Sequence, residues 1–589
     1  MIRPDKMALG LALVLATPVA AQNIQDVLPP QFLPGAGAFP AQPVVTPQAS
    51  AAAPVERVLL PRLNGLAFVP SLNRIQRRGI RTPGVTIQDL PPLDDAFIAE
   101  VTPLLGQPLT TTTIDTITRA VVAAYRRADR PLVDAVAPEQ DIDSGVVQIA
   151  VVEFTVGEIR TEQNNWFSTR LLTSRLRLAP GDPVRGSRVA EDLALLNENP
   201  FRQVELVYQR GTQLGRTDVI LRAPDRFPLR IYAGFENTGT PSLGVNRIIT
   251  GATYGNLFGR GHQLNYQYTT SADALTGTPD GLQGRPNAPR FLAHSLVYIV
   301  PLPWRDRLVV SGLYAQSSPW LAPPFLQQGY TTQASVRYAR HLPRTENFGQ
   351  ELRFGYDFKR TNNNLAFGGL RLSNTFTEVN QFALEYGATL LDSWGSTSFT
   401  ATGIVSPGNM SSGNTRAAFQ TSRAGASAQY AYANLLAERS FALPRNYTLN
   451  LRATGQLASG ALLASEQLGL GGATSARGYN SFTVIGDQGY IMGAELRAPP
   501  FSLLRLIGKP ERDRFQAHLF IEGGHVRSRT PQGAIGAPLG QSLASAGFGF
   551  RYALDRHLDV RFDYGFQMIR AFGAPPLASL ANVSLVASW

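Results

Sequence analysis

From Phe227 to Trp589 apolar and polar residues alternate with a period of two, and no helical pattern interrupts them. Leu352, Phe354, Tyr356 and Phe358 interleave with Glu351, Arg353, Asp357 and Lys359; Leu558, Val560, Phe562, Tyr564 and Phe566 interleave with Asp559, Arg561 and Asp563. Each such strand has one greasy face and one charged face. A soluble sandwich would bury the greasy faces in a shared core, whose size limits how many strands it can absorb. So long a run, rich in Gly and aromatics, instead predicts a closed membrane β-barrel with lipid outside and water inside. Connection lengths agree: a long polar loop running to Arg290 is followed by the tight turn Pro301–Asp306, and Leu554–His557 is another short turn. Counting on this basis predicts roughly sixteen antiparallel strands, an even number as closed bacterial barrels require. The last strand finishes on the aromatic Trp589, a candidate C-terminal signal for barrel assembly.

Residues 1–21 read as a signal peptide. Arg3 and Lys6 precede the apolar stretch Met7 to Ala16, and small residues lead up to cleavage after Ala21. Residues 22–61 are rich in Pro, Ala and Gly and read as a linker and candidate plug segment, with Asn23 to Leu28 as a candidate helix. Two small α+β units are expected next, over 62–153 and 154–226. The first has a strand, two helices and two strands; its second helix carries Ile114, Ile117, Val121, Val122 and Tyr125 on one face after the N-capping run Thr110 to Thr113. The second has a strand around Val156 to Arg160, helices around Ser168 to Leu178 and Ser187 to Asn197, and a hairpin of Gln203 to Tyr208 with Asp218 to Leu221 across Arg210-Gly211. Gly106-Gln107-Pro108-Leu109 and Gly181-Asp182-Pro183-Val184 separate the two helices of each unit. That spacing is the length of one small domain used twice.

Several functions are excluded on the same grounds. Past the leader there is no apolar run near the ~20 residues of a spanning helix. The chain has no Cys, and its six His lack ligand-like spacing, which argues against a metal site or any other cofactor. The net charge of +11 is spread over Lys and Arg scattered singly through alternating segments, which argues against nucleic acid. No nucleophile and base stand at recognisable spacing and no phosphate-cradling loop is present, so the chain does not read as an enzyme.

Short motifs sharpen the picture. Pro138 to Ile142 with Gly145 and the strand to Glu153, then Leu195-Leu196-Asn197 with Pro200, then Glu236 to Thr240 with Gly244 and Arg247, and above all Ala476-Arg477-Gly478-Tyr479 with Gly486 to Tyr490 and Glu495-Leu496, follow in order. Together they resemble the TpsB transporters of two-partner secretion, in which two periplasmic POTRA domains precede a sixteen-stranded outer-membrane barrel. The resemblance covers nearly the whole mature chain. It implies that Arg477, Gly478 and Tyr479 lie on an external loop between strands eleven and twelve that folds back into the lumen. There Arg477 would pair with an acid on strand thirteen, in Phe520-Ile521-Glu522-Gly523-Gly524, with Glu522 where the family has Asp; Phe520 and Gly524 flank it. It also implies a location in a Gram-negative outer membrane, contact with its lipid and with the barrel-assembly machinery, and a large secreted β-helical partner of adhesin or hemolysin type. A POTRA edge, Val204, Glu205, Leu206, Val207 and Tyr208, is the candidate docking strand for that partner, the alternative being an ordinary core hairpin. An assembly insertase of the same superfamily is the alternative, and a passive pore the third reading.

Overall fold

The computed structural model describes residues 56–589, apart from 214, 277–288, 322–324, 346, 368–369, 532–536 and 574–576. The expected signal peptide, the candidate helix Asn23 to Leu28 and most of the candidate plug lie outside the described residues. Within them the chain forms two compact units that divide after Phe227.

The first unit holds two small α+β domains. In the first, strands β2 (Gly65–Val69), β3 (Gly84–Ile87), β5 (Val133–Val136) and β6 (Val146–Glu153) form a sheet ordered β3-β2-β6-β5. β2 runs parallel to both β3 and β6, and β5 antiparallel to β6. Helix α1 (Asp95–Val101) starts where the Asp94 side chain accepts from Phe97 N at 3.0 Å, and α2 (Thr111–Arg127) starts at a reciprocal capping box between Thr110 and Thr113. Both helices pack on one sheet face, with Phe68 and Phe97 edge to face at 5.0 Å between them.

Three expectations need correction here. Val122 is only half-buried, and α2 instead buries Ala120 and Ala124 beside Ile117, Val121 and Tyr125. Small side chains let a helix approach a sheet closely, so alanines that look neutral in a sequence become core. Strand β3 was not anticipated. The stretch read as linker to Pro61 is folded at its end, because β1 (Val58–Leu60) pairs with β4 (Leu109–Thr110).

The second domain has the sheet β7-β9-β8, made of Thr155–Glu162, Arg216–Arg222 and Glu205–Arg210, with helices α3 (Thr169–Thr173) and α4 (Gly186–Leu196). α3 is far shorter than the expected Ser168 to Leu178. The fully buried Asp192 of α4 accepts from Arg177 N at 2.7 Å and from its Nε at 3.0 Å, which pulls the chain out of helical geometry.

The second unit is a closed barrel of sixteen antiparallel strands, each paired with its sequence neighbour, as the alternation predicts. It closes where the first strand (Leu229–Glu236) pairs with the last (Ser579–Ser588), and Trp589 exchanges backbone hydrogen bonds with Ile231 at 2.9 and 3.1 Å. The Trp589 side chain is exposed. Outward positions such as Phe354, Leu384, Leu457, Leu519 and Ile521 are apolar and exposed, whereas inward positions such as Gln267, Gln333, Asp357, Lys359 and Asp563 are polar and buried. Connections at the rim nearest Leu229 are mostly short. The exception is 498–512, between strands twelve and thirteen, which holds a helical turn at Leu503–Leu506.

Candidate functional site in the barrel lumen

Strand eleven (Thr448–Ala458) and strand twelve (Gln488–Arg497) are joined by a loop, 459–487, that carries a two-stranded ribbon, Leu468–Leu470 with Val484–Gly486. Arg477 lies in the turn of that loop and is buried. Its guanidinium meets three wall carboxylates: Glu522 of strand thirteen (Asp513–Arg527) at 2.6 Å, Glu495 of strand twelve at 2.7 Å and Asp563 of strand fifteen (Leu558–Gln567) at 2.8 Å. Its backbone N–H donates to the other oxygen of Glu522 at 3.1 Å, and its carbonyl accepts from Asn582 of strand sixteen at 2.8 Å. The planar cation lies 3.6 Å from the centroid of the Phe520 ring. Two more arginines complete the cluster, Arg497 on Glu495 at 2.7 Å and Arg551 on Asp563 at 2.9 Å. Three guanidinium groups thus balance three carboxylates. In a low-dielectric site such balance is what makes buried charges tolerable.

The neighbours of Arg477 fix the loop backbone. Gly478 lies flat against strand fifteen: its carbonyl accepts from Gln567 at 2.8 Å, and a Cβ on the facing Gly565 would stand 2.6 Å from Gly478 N. Tyr479 is buried, donates to the carbonyl of Ala544 at 2.9 Å and accepts from Ile569 N at 3.2 Å. Gly524 gives close strand contact, since a Cβ there would meet Tyr490 O at 2.3 Å. The structure therefore brings Arg477, Gly478, Tyr479, Phe520 and Glu522 together on one wall.

Two further anchors were given no role in the sequence reading. Glu466, at the near end of the same loop, is buried against Lys359 of strand seven (Phe348–Phe367) at 2.7 Å and accepts from the Tyr432 hydroxyl of strand ten (Gln429–Ala442) at 2.8 Å. In a ring of sixteen strands the seventh faces the fifteenth, so the loop crosses the lumen and is pinned on opposite walls. Asp487, where the loop rejoins strand twelve, is held by both terminal nitrogens of Arg423 at 2.5 and 2.8 Å and by the N–H groups of Leu462 and Arg529 at 2.8 and 2.6 Å. Arg423 ends the short helix Arg416–Ser422 in the loop between strands nine and ten, so Asp487 ties two loops together. The signals that could have found these residues were faint: Lys359 is one of only three lysines, on the polar face of its strand, and Asp487 lies inside the glycine-flanked stretch before strand twelve.

A sixteen-stranded barrel with a loop folded into it, after two small domains of this type, fits the model for "Haemolysin secretion/activation protein ShlB/FhaC/HecB", which matches residues 215–552. The chain belongs to this family. A ShlB-type POTRA domain matches residues 78–153. Among curated relatives, the heme/hemopexin transporter protein HuxB of Haemophilus influenzae is 20% identical over 471 residues, covering 75% of this chain and 77% of that protein. Among solved structures, CdiB from Escherichia coli superposes with a TM-score of 0.68 at 18% identity, covering 93% of this chain and 94% of that one. CdiB from Acinetobacter baumannii gives 0.60 at 15% identity, covering 99% and 97%. As a member of the haemolysin secretion/activation family the protein is an outer-membrane transporter with periplasmic POTRA domains.

The candidate docking residues lie in the second POTRA-like domain. β8 pairs only with β9 among the described residues and is an edge of its sheet. It begins at Glu205, one residue after the buried Val204; Glu205 is exposed, Leu206 is buried in the core, and Val207 and Tyr208 are half-buried. This edge and the Arg477 cluster belong to different compact units.

Proposed function

We propose that this transporter serves two-partner secretion: an exported partner protein, still extended, adds to the free edge of β8 and then threads outward through the barrel as loop 459–487 withdraws from the lumen. The observation that carries the reading is a loop that crosses the lumen and is held by buried ion pairs. Such pairs close the channel at rest, yet they exchange for water as soon as the lumen widens. The cargo class is a large secreted β-helical protein of adhesin or hemolysin type, whose folding outside the cell supplies the driving force in a compartment without nucleotide.

The test is secretion of a large exported protein encoded beside this gene, in cells with the wild-type gene, Arg477→Ala, or no copy. Barrel insertion is checked by heat-modifiable gel migration. Loss of secretion on deletion, with a severe defect for an inserted Arg477→Ala barrel, supports the reading. Intact secretion on deletion, with other outer-membrane proteins failing to assemble, replaces it with the insertase. Docking at β8 is tested by a photocrosslinker at Glu205, which must capture the partner under secreting conditions.

A further inference from the structure

The charge of this chain is not scattered everywhere. Between β2 and β3 of the first POTRA-like domain lie Arg74, Arg77, Arg78 and Arg81, all exposed, and among the described residues none of the four pairs with a carboxylate. The loop that carries them is not slack. Gln148 of β6, buried on the sheet face opposite the helices, donates to Gln76 O at 2.8 Å and accepts from Gln76 N at 3.0 Å. Asp141 N donates to Arg77 O at 2.9 Å, and the Ser144 hydroxyl donates to Ile80 O at 2.6 Å. Four cations are thus displayed on a backbone fixed at three points.

The loop leads directly into β3, which pairs only with β2 among the described residues and forms an edge of its sheet. Gly84 N donates to Asn64 O and Gln88 N to Phe68 O, each at 3.0 Å. Because donors alternate along a strand, the N–H groups of Val85 and Ile87 face the open side.

We propose that β3 and its arginine approach form a docking edge for an extended acidic segment of the exported polypeptide, separate from β8. This names a partner chemistry for the secretion reading and rests on it. An added strand would take backbone hydrogen bonds from Val85 and Ile87, while guanidinium forks select Asp and Glu side chains in the adjoining stretch. A lipid headgroup would satisfy the arginines but leave the strand edge unused, which is why the surface fits a polypeptide better than a membrane. The rival account is that the arginines only guard the edge against aggregation.

The experiment measures fluorescence anisotropy of a labelled polyglutamate peptide with the full-length protein in phosphatidylcholine nanodiscs. The expected result is binding that weakens with salt, falls about tenfold or more when Arg74, Arg77, Arg78 and Arg81 are all changed to Gln, and falls several-fold in Val85→Pro with the arginines intact. Far-UV circular dichroism and barrel heat-modifiability verify folding of each variant. Equal binding by the four-Gln variant overturns the proposal, as does the guard outcome, in which that variant aggregates at unchanged affinity. Arginine-dependent capture of phosphatidylglycerol vesicles without polyglutamate binding also overturns it and assigns the surface to lipid. Binding is read on the isolated chain, so a protein that bound as expected but secreted nothing would lose the transport reading and keep the docking edge.

Discussion

The two walls that hold the lumen loop are built differently. On one side Arg477 meets three carboxylates, a ring face, two backbone partners and a glycine surface. On the opposite side Glu466 meets one ammonium group and the hydroxyls of Tyr432 and its own neighbour Ser465. A guanidinium is a rigid fork whose directions match several acceptors at once, whereas an ammonium group is a compact point charge on a flexible stem, readily rehydrated. For the proposed opening the difference predicts an order of release: the Lys359 side should let go first and the Arg477 side should act as the hinge about which the loop swings.

The largest effect that tests this asymmetry is Arg477→Ala. It leaves Glu495, Glu522 and Asp563 buried with two of their three guanidinium partners, and breaking a buried pair in this way costs about 3–5 kcal/mol. The closed position should become unstable, with frequent large openings in planar-bilayer recordings and a collapse of secretion. If the variant conducts no more than wild type, the hinge account fails. Arg477→Lys should fall between the two, since it restores charge without the fork.

Lys359→Met and Glu466→Gln come next, at about 3 kcal/mol each, the low end for breaking a buried pair, because the Tyr432 and Ser465 hydroxyls still bond the side chain at 466. Both should raise brief openings while leaving secretion nearly intact, because the hinge remains. The double swap Lys359→Glu with Glu466→Lys should restore quiet channels. Larger openings here than in Arg477→Ala would invert the proposed order of release.

The contrast also explains what the sequence could and could not disclose. The barrel was legible because lipid on one face and water on the other impose a strict period on every strand. The Arg477 wall was legible in part, since Arg477, Glu522 and Phe520 lie in short glycine-flanked motifs. Asp563 was visible only as a charge on the polar face of its strand and Glu495 only as the end of the motif that begins at Ala476, with nothing local to say that one cation joins them. Lys359 and Glu466 stand 107 residues apart and meet only because a loop from strand eleven reaches across to strand seven. No periodicity carries that information. In the POTRA-like domains the helix α3 was overextended for a similar reason: the buried Asp192, distant in sequence, captures Arg177 and outweighs local helical propensity.

A smaller effect tests the glycine surface beneath the hinge. In Gly565→Ala the new Cβ would lie 2.6 Å from Gly478 N, so the loop must back away from strand fifteen by several tenths of an ångström. Overpacking of this kind costs about 1–3 kcal/mol, and the wall strand is otherwise unchanged. We expect conductance bursts intermediate between those of wild type and Lys359→Met. Normal heat-modifiable migration should persist, and quiet wild-type recordings would show that Gly478 does not need its close seat.

The smallest expected effect is that of Phe520→Leu. Leu keeps an apolar side chain under the guanidinium and leaves all three carboxylates in place, so only the attraction between the cation and the ring is removed, about 0.5–2 kcal/mol for a partly desolvated pair. Phe520 sits on the inward face of strand thirteen with Glu522, two residues apart, and the ring and the carboxylate hold the same guanidinium from different directions. The ring's part in the hinge is therefore orientation of the fork. Phe520→Leu should leave secretion unchanged but add a few brief openings to otherwise wild-type protein, and it should add almost none to Arg477→Lys, because Lys has no plane to orient. If Phe520→Leu instead damaged Arg477→Lys as much as it does wild type, the ring would be acting as packing alone, and the asymmetry between the two walls would rest on the carboxylates.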